Sequence, residues 1–241
     1  MKIIVLNKTD YQDKDTIIDA ISETGSVSFK VRSGQTPNCH VPWINNPLVV
    51  ADVEYVDNPR YRNKILKGAK LLFYPLDNID YDSLLEFQLA REIIDNILLP
   101  EEKFRVFNDL LDYLTACHGR KNNLLKTLMF MARAIQYSGS GLVVDRCVFC
   151  GSTKDIVSFS FADGGFICRE CMHEGMPIDL SPYQMKLIRA LFTSKISADI
   201  PEDNVKMEDK EWLLMKLTQY VSDANGARLN TTKLILDNLR K

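Results

Sequence analysis

The sequence contains no long apolar segment. Its longest uninterrupted apolar run is five residues, Leu128 to Ala132, whereas a membrane-spanning helix needs about 20 mostly apolar residues. The first eight residues also lack the apolar core of about 7–15 residues that a signal peptide requires. We therefore expect neither a transmembrane segment nor a secretory leader, and we expect the protein to act in the cytoplasm.

Several enzyme signatures are missing as well. The sequence has no phosphate-binding loop, no dinucleotide fingerprint, no Gly-x-Ser-x-Gly element and no His-Glu-x-x-His pair. A paired-carboxylate enzyme has no positive support in the sequence, so we expect a protein that is not an enzyme. Glycine and proline, 11 and 9 residues, are too few for a collagen-like or low-complexity chain.

Charge and hydrophobicity are those of an ordinary globular protein. Hydrophobic residues make up 46% of the chain, charged residues 26%, and the net charge is −2. This balance argues against a simple nucleic-acid coat protein, which is usually basic overall, but it leaves room for a local basic face.

The N-terminal third is predicted to form β-structure. Five short apolar groups are separated by turn-forming residues, and they lie at 3–6, 16–21, 27–31, 48–56 and 65–74. In the third group, Val27, Phe29 and Val31 alternate with polar residues, which is the period of a half-buried strand. Five short strands fit an OB-type β-barrel, and a plain antiparallel meander is the alternative.

After Pro75 the spacing of apolar residues becomes helical. Six helices are predicted, at about 85–98, 104–114, 124–135, 182–193, 208–222 and 231–239. The first three are expected to bury one another as a bundle. The predicted fold class is therefore α+β, with an OB-type barrel at 1–78 and a mostly helical domain at 79–241 that carries a cysteine-containing loop at about 145–175.

Four of the six cysteines form two Cys-x2-Cys pairs, separated by 17 residues. They are Cys147, Cys150, Cys168 and Cys171. In a reducing compartment this spacing predicts a metal site before disulfides, and four thiolates suit tetrahedral zinc. Since four protein ligands leave no open coordination position, we expect one structural Zn²⁺ per chain. The alternatives are ordinary reduced thiols that happen to fall in pairs and a redox switch at the four cysteines.

Basic residues in the predicted barrel provide candidate contacts to DNA. Two lie on the polar face of the third strand, and the others fall in a segment that contains no acid; the six are Lys30, Arg32, Arg60, Arg62, Lys64 and Lys67. Single-strand binders combine basic grooves with aromatic rings, and the candidate stacking platforms are Tyr11, Phe29, Trp43, Tyr61 and Tyr74. For Phe29 and Trp43, packing in the barrel core is the alternative. Solvated surface charge is the alternative interpretation, since residues 1–80 contain ten basic and ten acidic side chains.

The order of these parts resembles the bacterial recombinational repair family RecO. The resemblance rests on Asp145 to Gly151, on Phe159-Ser160, on Gly164 to Cys171 and on Leu180-Ser181-Pro182. It implies a non-enzymatic mediator that binds single- and double-stranded DNA and anneals complementary strands. It also implies a structural zinc and a nucleoid-associated, cytoplasmic location.

The resemblance implies protein partners too. Members of the family act with RecR, and sometimes RecF, to load RecA, and they recognise the C-terminal tail of single-stranded DNA-binding protein (SSB). For that tail we expect a groove between bundle helices, with Arg120, Lys121, Lys126 and Arg133 as candidate contacts.

The sequence departs from the family in its basic residues. The segment 31–38 keeps only Arg32 where the family usually has a basic loop, and Asn230, Thr231 and Thr232 stand where basic residues are common. A zinc-ribbon transcription regulator is the alternative function, because GATA-type fingers have the same cysteine spacing. Those fingers carry a basic segment after the last cysteine, and this chain does not.

Overall fold

The computed structural model of the chain describes residues 1–57, 63–77, 79–174, 176, 180–197 and 204–239. These residues contain the strands β1 (Lys2–Tyr11), β2 (Asp15–Ser22), β3 (Gly25–Val31), β4 (Val50–Val56), β5 (Lys64–Phe73), β6 (Val143–Cys147), β7 (Ile156–Ser160) and β8 (Gly165–Cys168). The α-helices are α1 (Tyr81–Ile97), α2 (Phe107–Cys117), α3 (Leu124–Tyr137), α4 (Pro182–Thr193), α5 (Met207–Asn225) and α6 (Thr231–Leu239).

The chain divides into two compact units. One contains Met1–Asp80 and Leu99–Lys121, and the other contains Tyr81–Leu98 and Asn122–Lys241. The domain limits expected from the sequence, 1–78 and 79–241, stay a prediction. The described part of the chain has no helix that combines the length and the apolarity needed to cross a membrane.

The first unit is built on a closed five-stranded barrel. Its strands follow the order β1-β2-β3-β5-β4, and β1 closes the barrel against β4. All pairings are antiparallel except β3 with β5, where Phe29 lies opposite Lys64. The alternation read from the third strand is confirmed, since Phe29 and Val31 are buried in the barrel core. This is the arrangement of an OB-type barrel, as the sequence predicts.

Residues 99–121, which include α2, belong to the barrel unit. The Ser26 hydroxyl donates a hydrogen bond of 2.9 Å to the Pro100 carbonyl. The ring of Phe73 contacts that of His118 edge-on, with centroids 4.8 Å apart. The sequence predicts that this helix packs with α1 and α3, but an amphipathic pattern shows only that one face is buried and does not identify what covers it.

The second unit contains five helices and a small sheet, and within it α3 packs against α1, α4 and α5. Eleven of the 14 residues of α3 are buried, so this helix is central to its unit. The sheet has the order β6-β8-β7, with β6 parallel and β7 antiparallel to β8. The alternation of residues Val157 to Phe161 predicts β7, and Phe166-Ile167 predicts the start of a return strand, β8, whereas no pattern in the sequence predicts β6. Its few residues, with charges at Asp145 and Arg146, show no alternation to distinguish them from a loop.

Helix α4 is fixed at both ends. At its start, the Ser181 hydroxyl accepts a hydrogen bond from the Gln184 backbone N–H in a reciprocal capping box. At its end, Lys126 donates to the Ile196 carbonyl at 2.9 Å. Arg133 donates to the carbonyls of Phe192 and Ser194 at 2.8 and 2.6 Å. Cations at a helix C-terminus satisfy free carbonyls and complement the helix dipole.

Candidate functional site

The four paired cysteines come from two tight turns at one end of the small sheet. In the first turn, Gly151 donates to the Cys147 carbonyl at 2.9 Å, and Cys147 donates to the Ser152 carbonyl at 2.7 Å. Gly151 has a φ of +74°, a conformation that glycine adopts at little cost. The second turn is a short 3₁₀ helix at Arg169–Cys171. Each turn therefore directs two sulfur atoms to one point.

The sulfur atoms are close enough to share one metal ion. All four lie within 4.8 Å of one another, and the Sγ atoms of Cys150 and Cys168 are 3.5 Å apart. Sulfurs around a tetrahedral zinc, at Zn–S distances of about 2.3 Å, are separated by about 3.8 Å. Among the described residues this is the group that has metal-ligand spacing, and its soft thiolates suit zinc.

The environment favours ionisation of one thiol and opposes it at others. Burial by itself raises the pKa of Cys147, but backbone hydrogen bonds, chiefly from Cys150 and Cys168, outweigh it and lower that pKa to about 6. Hydrogen bonding to Cys150, followed by burial, raises the pKa of Cys171 to about 12. A backbone hydrogen bond from Ser152 favours the Cys150 thiolate, but hydrogen bonding with the Cys168 thiol, burial and hydrogen bonding with the Cys147 thiol together outweigh it and raise the pKa of Cys150. Four thiolates at this spacing require a central cation.

On the barrel, Lys30 and Arg32 line one hollow of about 220 Å³ together with Tyr11, Gln12 and Asn63. Lys30 lies over the Tyr11 ring, 4.9 Å from its centroid, and forms an ion pair of 2.9 Å with Asp15. Hydrogen bonds from Lys30 and from the Ser33 backbone hold the pKa of Asp15 below its ordinary value. Arg32 is exposed, so the hollow combines a ring with one neutralised and one available cation.

Of the other predicted DNA contacts, the two that the structure describes, Lys64 and Lys67, do not line this hollow. Lys64 pairs with Asp57, lies 4.5 Å from the Tyr55 ring centroid, and lines a different crevice with Lys103. Lys67 is exposed on β5. Arg60, Arg62 and the platform Tyr61 lie outside the described residues. The structure thus adds Gln12 and Asn63 to the predicted surface, and no pattern in the sequence identified them.

The four residues predicted to bind a partner tail have different environments. Lys126 is 4% exposed, and its ammonium donates to the Ile196 carbonyl. Arg133 is half-buried, and its guanidinium donates to two carbonyls at the end of α4. Arg120 and Lys121 are exposed, and Lys121 lies 3.9 Å from an oxygen of Asp80. The first pair supports the fold, and the second pair is accessible.

The sequence of the chain matches the model of a known protein family. The family model described as "Recombination protein O C terminal" matches residues 80–232, which is well over half of the chain. The chain belongs to the RecO family. The match includes all four paired cysteines and five of the six helices.

Curated relatives extend the RecO similarity over the barrel. The DNA repair protein RecO of an Exiguobacterium species is 25% identical over 240 residues, spanning 98% of this chain and 94% of its own length. That of Shouchella clausii is 25% identical over 245 residues, 96% of this chain and 91% of its own. That of Syntrophomonas wolfei is 24% identical over 199 residues, which span 81% of this chain and 79% of its own length. The similarity to RecO proteins therefore extends over both units of the fold.

Proposed function

We propose that this chain is a DNA repair and recombination mediator that binds DNA and anneals complementary single strands. Family membership supports this role. The structural observation that supports it most directly is the barrel hollow, in which Tyr11 lies beside Lys30 and Arg32. Annealing needs no catalytic acid or base. It needs phosphate neutralisation, so that two like-charged strands approach, and contacts weak enough for bases to re-pair.

The first test is annealing of two complementary labelled oligonucleotides at low and moderate salt, with and without an SSB coat. We expect stoichiometric acceleration that requires neither nucleotide nor a particular sequence. No acceleration by folded protein would contradict the proposal. Sequence-specific duplex binding without annealing would favour the zinc-ribbon regulator instead.

The barrel hollow is tested with two variants and a matched control. Arg32→Gln removes one cation, so the dependence of log affinity on log salt should fall by about 0.7 for a single strand. Tyr11→Ala removes the ring and should weaken binding by about 1–3 kcal/mol without changing that slope. Lys8→Gln removes an exposed charge that does not line the hollow. If all three variants behaved alike, DNA would bind elsewhere, with Lys64, Lys67 and the arginines at 60 and 62 as the remaining candidates.

We further propose that the four paired cysteines hold one structural Zn²⁺. Four soft ligands at tetrahedral spacing support this assignment. The bound ion would hold the two turns together and thereby fix the sheet β6-β8-β7, because ligand binding at such centres is coupled to folding.

Metal content and a cobalt spectrum test the centre. Native protein should contain one zinc per chain, and Co²⁺-substituted protein should show the intense near-ultraviolet bands of thiolate coordination. Cys150→Ser should lose both signals, whereas Cys39→Ser, at a cysteine outside the cluster, should keep them. Retention of stoichiometric zinc by Cys150→Ser would overturn the assignment.

We also propose that the chain acts with RecR, and in some settings RecF, to load RecA onto SSB-coated DNA. Arg120 and Lys121 are the accessible candidates for the SSB tail. The variant Arg120→Gln/Lys121→Gln should weaken binding of a tail peptide, measured by fluorescence anisotropy. Unchanged affinity in that variant would place the tail site elsewhere.

A further inference from the structure

The four clustered cysteines differ in their exposure to solvent. Cys147 and Cys168 are 1% and 2% exposed, whereas Cys171 is half-buried and Cys150 is exposed. The next residue, Gly151, is exposed as well, and a Cβ built on it would meet no atom within 4 Å. The space beside the first turn is therefore open, and a small solute meets Cys150 before it meets the two buried cysteines.

A second thiol lies next to the exposed one. The Sγ atoms of Cys150 and Cys168 are 3.5 Å apart, and a shift of about 1.5 Å would bring them to the length of a disulfide bond. The backbone of Cys168 is held on both sides, because it pairs with Ile156 of β7 and because the following N–H, of Arg169, donates to the Asp155 carbonyl at 2.9 Å. Cys168 is thus shielded from solvent but adjacent to the exposed sulfur.

From this arrangement we propose that the metal centre is also an oxidation site for small hydroperoxides. A hydroperoxide oxidises Cys150, and Cys168 then forms a disulfide with it, which releases the zinc. This inference rests on the zinc centre proposed above. Disulfides in a reducing compartment are mostly transient and are typical of redox sensing or catalysis, so the modification would be a reversible response to oxidant.

The chemistry proceeds in two balanced steps. The Cys150 thiolate attacks one oxygen of the peroxide, so that an S–O bond forms, the O–O bond breaks, and the sulfur gives two electrons to the oxidant. The departing oxygen takes a proton from solvent, and the sulfur is left as a sulfenic acid. The Cys168 thiolate then attacks that sulfur, forming the S–S bond and displacing hydroxide, which takes a second proton. Two thiolates, one hydrogen peroxide and two protons thus give one disulfide and two waters.

Oxidation would have a different structural result from removal of the metal. The disulfide joins the same two turns that the zinc joins, since Cys150 lies in the first turn and Cys168 directly precedes the second. The sheet β6-β8-β7 would therefore stay linked to the first turn. Zinc would be lost, because Cys147 and Cys171 alone supply only two of the four ligands of a structural site. The short helix Arg169–Cys171 would then lose its attachment.

The test uses the full chain, and its zinc content is measured before any oxidant is added. A chain without zinc would overturn the zinc centre and with it this inference, whereas a zinc-loaded chain that fails the later steps would overturn the inference alone. Hydrogen peroxide is the probe. Zinc release is followed with a chromogenic chelator, and disulfides are mapped by mass spectrometry after tryptic digestion without reductant.

Tryptic digestion separates the two reacting cysteines. Trypsin cleaves after lysine and arginine, which places Cys150 in the peptide 147–154 and Cys168 in the peptide 155–169. We expect these two peptides to become linked, with one zinc released for each disulfide formed. Alkylation and fragmentation should show Cys147 as the free thiol of the first peptide. A dithiol reductant and added Zn²⁺ should reverse both changes.

Two histidine variants form a matched pair. Cys150→His and Cys171→His each leave three thiolates and one imidazole, a ligand set that also binds zinc tetrahedrally. Because the thiolate is the nucleophile, Cys150→His should release zinc at least about tenfold more slowly than Cys171→His. The latter should still form the disulfide with Cys168. Cys39 and Cys117, which are buried in the barrel unit, are internal controls and should stay reduced.

Several results would overturn the proposal. One is a disulfide between Cys147 and Cys150, or zinc release with no disulfide at all. Others are equal release rates in the two histidine variants, or oxidation of the barrel cysteines before zinc is lost. Hydrogen exchange gives an independent test, since the oxidised chain should keep the protection of β8 and lose that of Arg169–Cys171. If oxidised and chelator-treated protein lost protection equally in β8, the disulfide would not replace the metal as a link. Should either variant fail to bind zinc, the disulfide map of the parent chain decides the question.

Discussion

Arg133 connects the central helix α3 to the end of α4, and removing its guanidinium tests whether that connection stabilises the helical unit. The guanidinium donates to the Phe192 and Ser194 carbonyls at 2.8 and 2.6 Å. The substitution Arg133→Met keeps an unbranched apolar stem and deletes both hydrogen bonds. It therefore leaves two carbonyls at the end of α4 without these donors.

The expected loss follows from these two contacts. A hydrogen bond to a charged group contributes about 1.5–3 kcal/mol, and because Arg133 is only half-buried, water replaces part of each bond. We therefore expect Arg133→Met to lower the free energy of unfolding by about 3 kcal/mol, taking the lower limit for each bond. Arg133→Lys keeps the charge near the helix terminus and one donor, so its loss should be about half as large.

The two tryptophans allow the helical unit to be observed alone. Trp43 lies in the barrel unit and Trp212 in the helical unit, so a Trp43→Phe background leaves fluorescence from the latter. In urea, with a slope on the order of 3 kcal/mol/M, the midpoint of Arg133→Met should fall by about 1 M. Arg228→Met, at an exposed arginine of the same unit, is the matched control and should change stability by less than about 0.5 kcal/mol.

A small effect of Arg133→Met would refute this reasoning. If its free energy of unfolding stayed within about 0.5 kcal/mol of the parent, the carbonyls would be equally satisfied by water. If stability were retained and affinity for the SSB tail were lost, Arg133 would be a tail contact, as expected from the sequence. Loss of stability with unchanged tail affinity after refolding would assign it to the fold alone.

Three further predictions concern the barrel, the small sheet and α4. Asp15→Asn should cost about 0.5 kcal/mol near neutral pH, because it breaks a partly exposed pair with Lys30. Since the pKa of Asp15 is lowered by folding, this contribution is complete above its unfolded pKa and disappears as pH falls through the folded value, so acid unfolding curves of variant and parent should converge at low pH. Gly165→Ala would place a Cβ 2.4 Å from the Val143 carbonyl oxygen and should separate β6 from β8, seen as loss of hydrogen-exchange protection. Ser181→Ala should destabilise α4 by about 1 kcal/mol, measured by thermal unfolding.

Local patterns in the sequence were sufficient for all the described strands and helices except β6, and for the pairing of the four cysteines. The period-two alternation of Val27, Phe29 and Val31 predicts a half-buried strand, and β3 has that form. Cys147, Cys150, Cys168 and Cys171 could be paired on spacing alone, because a Cys-x2-Cys turn brings its two sulfurs together wherever the turn lies. The sulfur cluster in the structure agrees with this expectation.

The positions of basic residues in the sequence did not predict equally well which side chains are available to bind DNA or a partner. Lys30, Lys64, Lys126 and Arg133 look alike in the sequence, but each has a specific partner in the structure, either a carboxylate or a backbone carbonyl. Arg32 is exposed and lines the barrel hollow. A count of basic residues therefore overestimates the cations available to DNA, because ion pairing is decided by neighbours that are distant in sequence.

Apart from β6, the sequence by itself determined the order of the described strands and helices and the identity of the four paired cysteines, since these depend on periodicity and on spacing within a few residues of a turn. Only the tertiary structure decided which elements pack together. It assigned α2 to the barrel unit and placed β6 beside β8. It also held Arg189 over Phe166. Those arrangements depend on contacts between residues far apart in the chain, which local patterns of polarity do not encode.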